Sequence, residues 1–245
     1  YEVVPSQNTI SFDVKEAQSQ YDACELGGEI EIPLSVEEPE VTTEKLKSNL
    51  FTTELASYST TGGGSEGRRT NISLAVKSCN GVILLPGETF SYNDTLGERT
   101  ADKGYQPAGA YSDGEVVEQL GGGICQVSST LFAAVLHTDL EIVTRANHSM
   151  PVSYLPMGMD ATVSWGGPEF KFKNNFSYPI KISASYSGGT INFKILGAAS
   201  DKKRIEVEIK KTGEMSAETY RKYYDENGNV TSTQIVARSN YKPHS

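Results

Sequence analysis

What the 245-residue chain has little of narrows its reading first. Three cysteines, Cys24, Cys79 and Cys125, are too few for a disulfide scaffold, and the odd count leaves at least one thiol free. There is no Cys-x-x-Cys pair and no His-rich cluster, so neither a zinc site nor any other cofactor is expected. Basic residues are outnumbered, with 22 Lys plus Arg against 31 Asp plus Glu and a net charge of −9. That balance argues against nucleic acid or an anionic membrane surface as the main partner. No apolar run reaches membrane-spanning length, and Tyr1-Glu2-Val3-Val4-Pro5 lacks a basic-then-apolar leader. The start reads as the interior of a longer protein, so any membrane attachment is expected through a segment outside this chain.

Glycine is plentiful, and its densest use carries chemistry. Gly121-Gly122-Gly123 runs straight into Ile124-Cys125-Gln126, after which Ile124, Val127, Leu131, Val135 and Leu136 recur at helix spacing. Cys125 therefore falls in the first turn of a helix of about four turns, ending near His137-Thr138-Asp139. The free N–H groups and positive dipole end of a helix N-terminus stabilise a thiolate. Glycines just upstream let the backbone approach a bound group and offer N–H groups to an oxyanion. The competing reading is a buried structural cysteine, the commoner fate of a free thiol.

A thiol nucleophile needs a base, and the chain has three histidines. His244 sits in a terminus that should fray. His137 lies twelve residues along the same helix, about 18 Å from Cys125, where it serves as a charge at the helix C-terminus. His148 fits by chain length. The helix carries the chain about 20 Å away from Cys125. Glu141 to His148, if extended, brings it back about 23 Å. Alternation along that strand puts Arg145 and Asn147 on the face opposite His148, and Arg145 either binds a substrate carboxylate or pairs with an acidic residue.

Elsewhere the pattern is mixed. Residues 8–36 hold two strand-like runs, Thr9 to Val14 and Glu29 to Leu34, closed by the acidic break Glu37-Glu38-Pro39-Glu40. Thr42 caps a helix start, Thr60 to Gly67 reads as a flexible surface loop, and residues 68–80 form an amphipathic helix. Residues 82–88 make a short buried strand, and 89–115 a long ordered loop. Beyond Cys125 the chain is mostly β, at 161–165, 168–173, 179–187 and 190–197, with hairpin turns at Gly188-Gly189 and Asn227-Gly228. The fold class is α+β: an antiparallel sheet, built mainly from 141–197, packed against a few helices. Strands 203–210 and 218–238 add a β-rich C-terminal extension that leaves the site alone.

Four blocks resemble the VanW domain family: GGGICQVSSTLFAAVL at 121–136, EIVTRANHSMPVSYLP at 141–156, MDATVSWGGPEFKFKNN at 159–175 and the run at 71–105. Residues 8–36 are similar to the end of a peptidoglycan-binding module. The division is then 1–40 module end and linker, 41–200 catalytic domain, 201–245 extension. The resemblance implies an extracytoplasmic envelope protein and an L,D-transpeptidase that uses its cysteine on peptidoglycan stem peptides. With the chain-length argument for His148, Cys125 and His148 are the expected catalytic pair. Gly122, Gly123, Gln126, Ser128, Arg145, Asn147 and Tyr154 are the candidate substrate-binding residues. A non-catalytic wall-binding module and an L,D-carboxypeptidase with the same pair are the alternatives.

Overall fold

The computed structural model describes residues 2–112 and 115–243. The chain divides into two units, Tyr1–Asn49 and Leu50–Ser245. The first holds strand β1 (Thr9–Ser11), helix α1 (Val14–Ala23), strand β2 (Ser35–Glu37) and helix α2 (Thr43–Asn49). Asp13 starts α1 by accepting from the Lys15 and Glu16 amides at 2.8 and 3.1 Å. β1 pairs antiparallel with β2, Ile10 opposite Val36. The second strand thus begins at Ser35, beyond the run at 29–34 where its alternation suggested it.

The second unit contains β3 (Thr53–Thr61), α3 (Glu66–Cys79), β4 (Ile83–Leu84), β5 (Thr89–Ser91), α4 (Tyr92–Leu96), β6 (Pro107–Ser112), β7 (Glu115–Leu120) and α5 (Ile124–Leu136). It continues through β8 (Glu141–Thr144), β9 (Lys171–Lys173), β10 (Ile180–Ser187), β11 (Thr190–Gly197), β12 (Arg204–Gly213), β13 (Ser216–Tyr224) and β14 (Val230–Asn240). The class is α+β. The main sheet runs β3-β11-β10-β4, all antiparallel, and α5 packs on β3 and β11.

Every residue of α5 except Cys125 is buried. A helix apolar on all sides belongs inside a domain, and its polar side chains are satisfied there. Thr130 Oγ1 lies 2.8 Å from Thr60 Oγ1 of β3, and Ser128 donates to the Ala161 carbonyl at 2.6 Å.

Several sequence expectations change. β3 enters the main sheet from before the helix, whereas β8 and β9 leave it to form a separate sheet with β5. Residues 161–165 carry no strand, because their backbone is used for single bonds to the site, and only Lys171–Lys173 of 168–173 pairs. Within 89–115 the expected loop resolves into β5, α4 and the first strand of the β6–β7 hairpin. The β10–β11 and β13–β14 hairpins turn where the glycines predicted, with Gly228 at φ +84.

The tail does more than extend the fold. Arg221 of β13 is buried and donates through Nε, Nη1 and Nη2 to the carbonyls of Leu136, Leu140 and Val135 at 3.0, 2.9 and 3.0 Å. It caps the last turn of α5, whose carbonyls have no partner within the helix. Burial and the Arg221 charge hold His137 below its ordinary pKa, so Arg221 and not His137 is the cation at this end. Arg221→Ala should cost about 3 kcal/mol of stability, since it takes the donor from the Leu136 and Leu140 carbonyls, while Val135 keeps Thr138. A urea midpoint unchanged from the parent protein would contradict this capping role.

Candidate active site

The glycines ahead of α5 are there for space and dihedral. Gly123, the N-cap, has φ +104, and Gly121 has φ +86. A Cβ on Gly122 would lie 2.4 Å from the Ala108 carbonyl oxygen of β6. Buried Asn71 of α3 fastens this strap by donating to the Gly122 and Gln106 carbonyls at 3.0 and 2.8 Å and accepting from the Gln106 amide at 2.8 Å. Cys125 follows as the second residue of α5, half-buried, with Sγ 3.3 Å from the Val163 carbonyl and 3.7 Å from Thr162 Oγ1.

His148 reaches the thiol on an irregular segment after β8, not on the strand itself. The Thr162 amide donates to the Ala146 carbonyl at 2.9 Å, setting this segment beside the Asp160–Val163 stretch. Asp160 is fully buried and does most of the positioning. Its Oδ2 lies 2.7 Å from His148 Nδ1 and accepts from the His148 amide at 2.7 Å. Its Oδ1 accepts from Arg145 Nη2 at 3.0 Å and from the Tyr241 hydroxyl at 2.5 Å. With Nδ1 held by the carboxylate, Nε2 is the nitrogen left for Cys125.

Charge follows this line of contacts. Burial pushes the Cys125 thiol up, but the hydrogen bond and charge of His148, helped by Val163 and Thr162, outweigh it and leave the pKa lowered. Burial pushes His148 down, yet Asp160 and then Cys125 bring it up to about 9. Asp160 is held low against its own burial by His148, Arg145 and Tyr241. The contacts therefore favour the thiolate and the imidazolium together, and the two groups titrate as a pair.

The sign is definite. A raised histidine contributes stability in full below its unfolded value of about 6.5. That contribution is lost as pH rises through about 9. The thiolate is lost in the other direction, as pH falls through the lowered Cys125 value. Iodoacetamide should accordingly label Cys125 at half its plateau rate below the ordinary thiol value of about 8.5. Buried Cys79, its pKa raised by desolvation, should stay unlabelled. A Cys125 profile centred at or above that of a free thiol would contradict the ion pair.

The other sequence candidates sort by what their polar atoms touch. Tyr154 stays beside the pair, its ring edge-on to His148 at 6.5 Å, half-buried, with burial raising its phenol. Gly122 and Gly123 form the approach to the thiol. Four candidates have their polar atoms engaged by partners within the fold. Gln126 is buried, donating to Thr60 Oγ1 and the Thr61 carbonyl at 3.1 and 2.7 Å and accepting from Arg68 at 2.8 Å. Ser128 is fully buried on the Ala161 carbonyl. Arg145 pairs with Asp160, donates to Ser239 Oγ at 2.7 Å and lies over the Phe132 ring at 5.2 Å. Asn147 donates to the His148 and Asn240 carbonyls, both at 2.7 Å.

His244 lies outside the described residues. Asp160 has no role in the sequence reading, although it stands in the 159–175 block; its one visible signal is a carboxylate in the otherwise apolar run Met157 to Ala161. Ser239 and Tyr241, from the tail, correct the expectation of an extension without bearing on the site.

Comparison with known proteins gives the family. A family profile described as VanW like protein matches residues 67–196, more than half of the chain. The chain belongs to the VanW-like family.

An uncharacterized protein of Bacillus subtilis, YoaR, is 46% identical over 163 residues, covering 66% of this chain and 54% of its own. The vancomycin B-type resistance protein VanW of Enterococcus faecalis is 35% identical over 135 residues, covering 51% of this chain and 49% of its own. The chain thus spans about half the length of these two relatives. No solved structure matches it. Cys125, His148 and Asp160 all fall inside the VanW-like segment, whereas Arg221, Ser239 and Tyr241, which brace them, lie beyond it.

Proposed function

We propose that this chain is a cysteine acyltransferase of the bacterial cell envelope, an L,D-transpeptidase acting on peptidoglycan stem peptides. The observation that carries the reading is the line Cys125–His148–Asp160: a half-buried thiol at a helix N-terminus, an imidazole raised to about 9, and a buried carboxylate on its Nδ1. The relative named for vancomycin resistance supports a cell-wall-related role.

In the proposed reaction the Cys125 thiolate attacks the carbonyl that precedes a terminal D-amino acid. The Ile124 and Gln126 amides already donate to Gly121 and Gly123, which leaves the Cys125 amide in the same first turn as the donor for the developing oxyanion. As the C–N bond breaks, the His148 imidazolium gives its proton to the departing amine, leaving a thioester. An amine of a second stem then attacks that thioester and loses its proton to His148. The new amide is a 3→3 cross-link, and the thiolate is restored. If water replaces the amine, the same residues give an L,D-carboxypeptidase, and the difference lies in how well water is excluded.

Incubation with a disaccharide-tetrapeptide, followed by intact-mass measurement, tests this. The expected adduct on Cys125 has the mass of the donor less its terminal residue, with cross-linked dimer in solution. Tripeptide without dimer would assign hydrolysis. Binding with neither adduct nor turnover would assign a wall-binding module and end the enzyme reading.

A further inference from the structure

One cation beside the glycine strap that leads to Cys125 has no role in the chemistry above. Arg68, in the first turns of α3, is half-buried with its stem lodged between two glycines. A Cβ on Gly64 would lie 2.8 Å from Arg68 Cδ; one on Gly123 would lie 3.0 Å from Cγ and 3.3 Å from Nη1. Both glycines have positive φ, +118 and +104, so side chains are unfavourable there on two counts. The slot is narrow because of backbone shape, and it places the guanidinium two residues from the nucleophile. Nη2 donates to Gln126 Oε1 at 2.8 Å, which fixes the plane. Among the described residues that is its one side-chain hydrogen bond, and no carboxylate forms an ion pair with it. Its charge also acts on the Tyr154 hydroxyl, whose ring stands edge-on to His148.

A guanidinium carries five donors in a rigid fork suited to a carboxylate. Partial burial with one neutral partner leaves most of that capacity unmet, and an anion arriving from outside is the natural complement. Resting on the transpeptidase reading, the scissile bond is the last in the donor peptide. The residue that leaves therefore carries a free carboxylate within a few bonds of the carbonyl attacked by Cys125.

We propose that Arg68 is a substrate-binding residue that recognises the terminal carboxylate of the donor peptide and sets its specificity for a free C-terminus. Gly64 and Gly123 hold its stem, and Gln126 holds its plane.

Two alkylating agents test the anion site without any peptide. Iodoacetate and iodoacetamide differ in carrying a carboxylate or a neutral amide, and both transfer their methylene carbon to the thiolate with loss of iodide. The rate ratio of iodoacetate to iodoacetamide at Cys125, read by peptide mass spectrometry with Cys24 as the internal reference, should fall roughly tenfold in Arg68→Gln. Arg68→Lys, which keeps a point charge without the fork, should give an intermediate ratio. An unchanged ratio in Arg68→Gln overturns the proposal. So does an equal fall in both rates, which would mean that Arg68 acts only by holding Gln126. A second arm compares tetrapeptide donors ending in acid or amide. The parent protein should favour the acid in kcat/KM, and Arg68→Gln should remove that preference mainly through KM. If both donors are inert while the alkylation ratio still falls, the anion site stands and the transpeptidase reading fails. If the acid preference survives in Arg68→Gln, the recognition proposal fails and the transpeptidase reading stands.

Discussion

Cys125→Ala is expected to abolish thioester formation and to lower cross-linking by a factor on the order of 10⁵ to 10⁶, the loss found when a catalytic nucleophile is removed. The fold should persist. Cys125 is half-buried in a helix whose other residues are all buried, and alanine is the best helix former. A change in stability beyond about 1 kcal/mol would be out of line with such a site. A second readout separates nucleophile from spacer. His148 sits at about 9 through Asp160 and Cys125 together. Without the thiolate its pKa, followed by NMR titration, should drop, because one of the two partners that raise it is gone. Cross-linking at the parent rate in Cys125→Ala would end the cysteine mechanism.

Asp160→Asn should be less damaging to turnover but, unlike the first substitution, should also loosen the fold. The carboxylate accepts from the His148 ring, the His148 amide, Arg145 and Tyr241, and it is fully buried. An amide has one acceptor oxygen in place of two. One cluster of donors must then face an NH₂ group, and the Arg145 cation loses its counter-ion. Breaking a buried ion pair from one side costs about 3–5 kcal/mol. In a Ser-His-Asp enzyme the corresponding change misdirects the imidazole tautomer and slows turnover about 10⁴-fold; a loss on the order of 10³ to 10⁴ is expected here. His148 should also titrate lower. A variant with parent stability and a parent His148 titration would show that the carboxylate is not the group that organises the site.

How much of this was legible in the sequence depended on range. α3, α5 and the β10–β11 hairpin were readable because their signals are local: apolar spacing, a glycine strap, a two-residue turn. The level of His148 followed from chain lengths alone, even though the strand proposed to carry it stops at Thr144. β3 escaped notice because its inward residues include Ala56 and Thr60, and Thr60 is buried only because Thr130 and Gln126 bond to it. Gln126 and Ser128 looked like site residues since they are polar and adjoin the cysteine. Their partners, which engage those polar atoms within the fold, come from Thr60, Thr61, Arg68 and Ala161. Asp160 was the hardest to see. Its meaning depends on Arg145, fifteen residues away, and on Tyr241, 81 residues away, and neither spacing is a pattern.

α5 is held at its two ends by different stretches of chain. Its start is shaped by α3 and β6, inside the VanW-like segment, while its last carbonyls are closed by Arg221 from beyond it. The recognisable segment and the working unit are therefore of different length. A fragment cut at residue 196 would contain every residue of the Cys125–His148–Asp160 line and yet lack the lid on its central helix and the hydroxyl on its carboxylate. Transplanting this candidate site into another protein means carrying the three tail strands along with it.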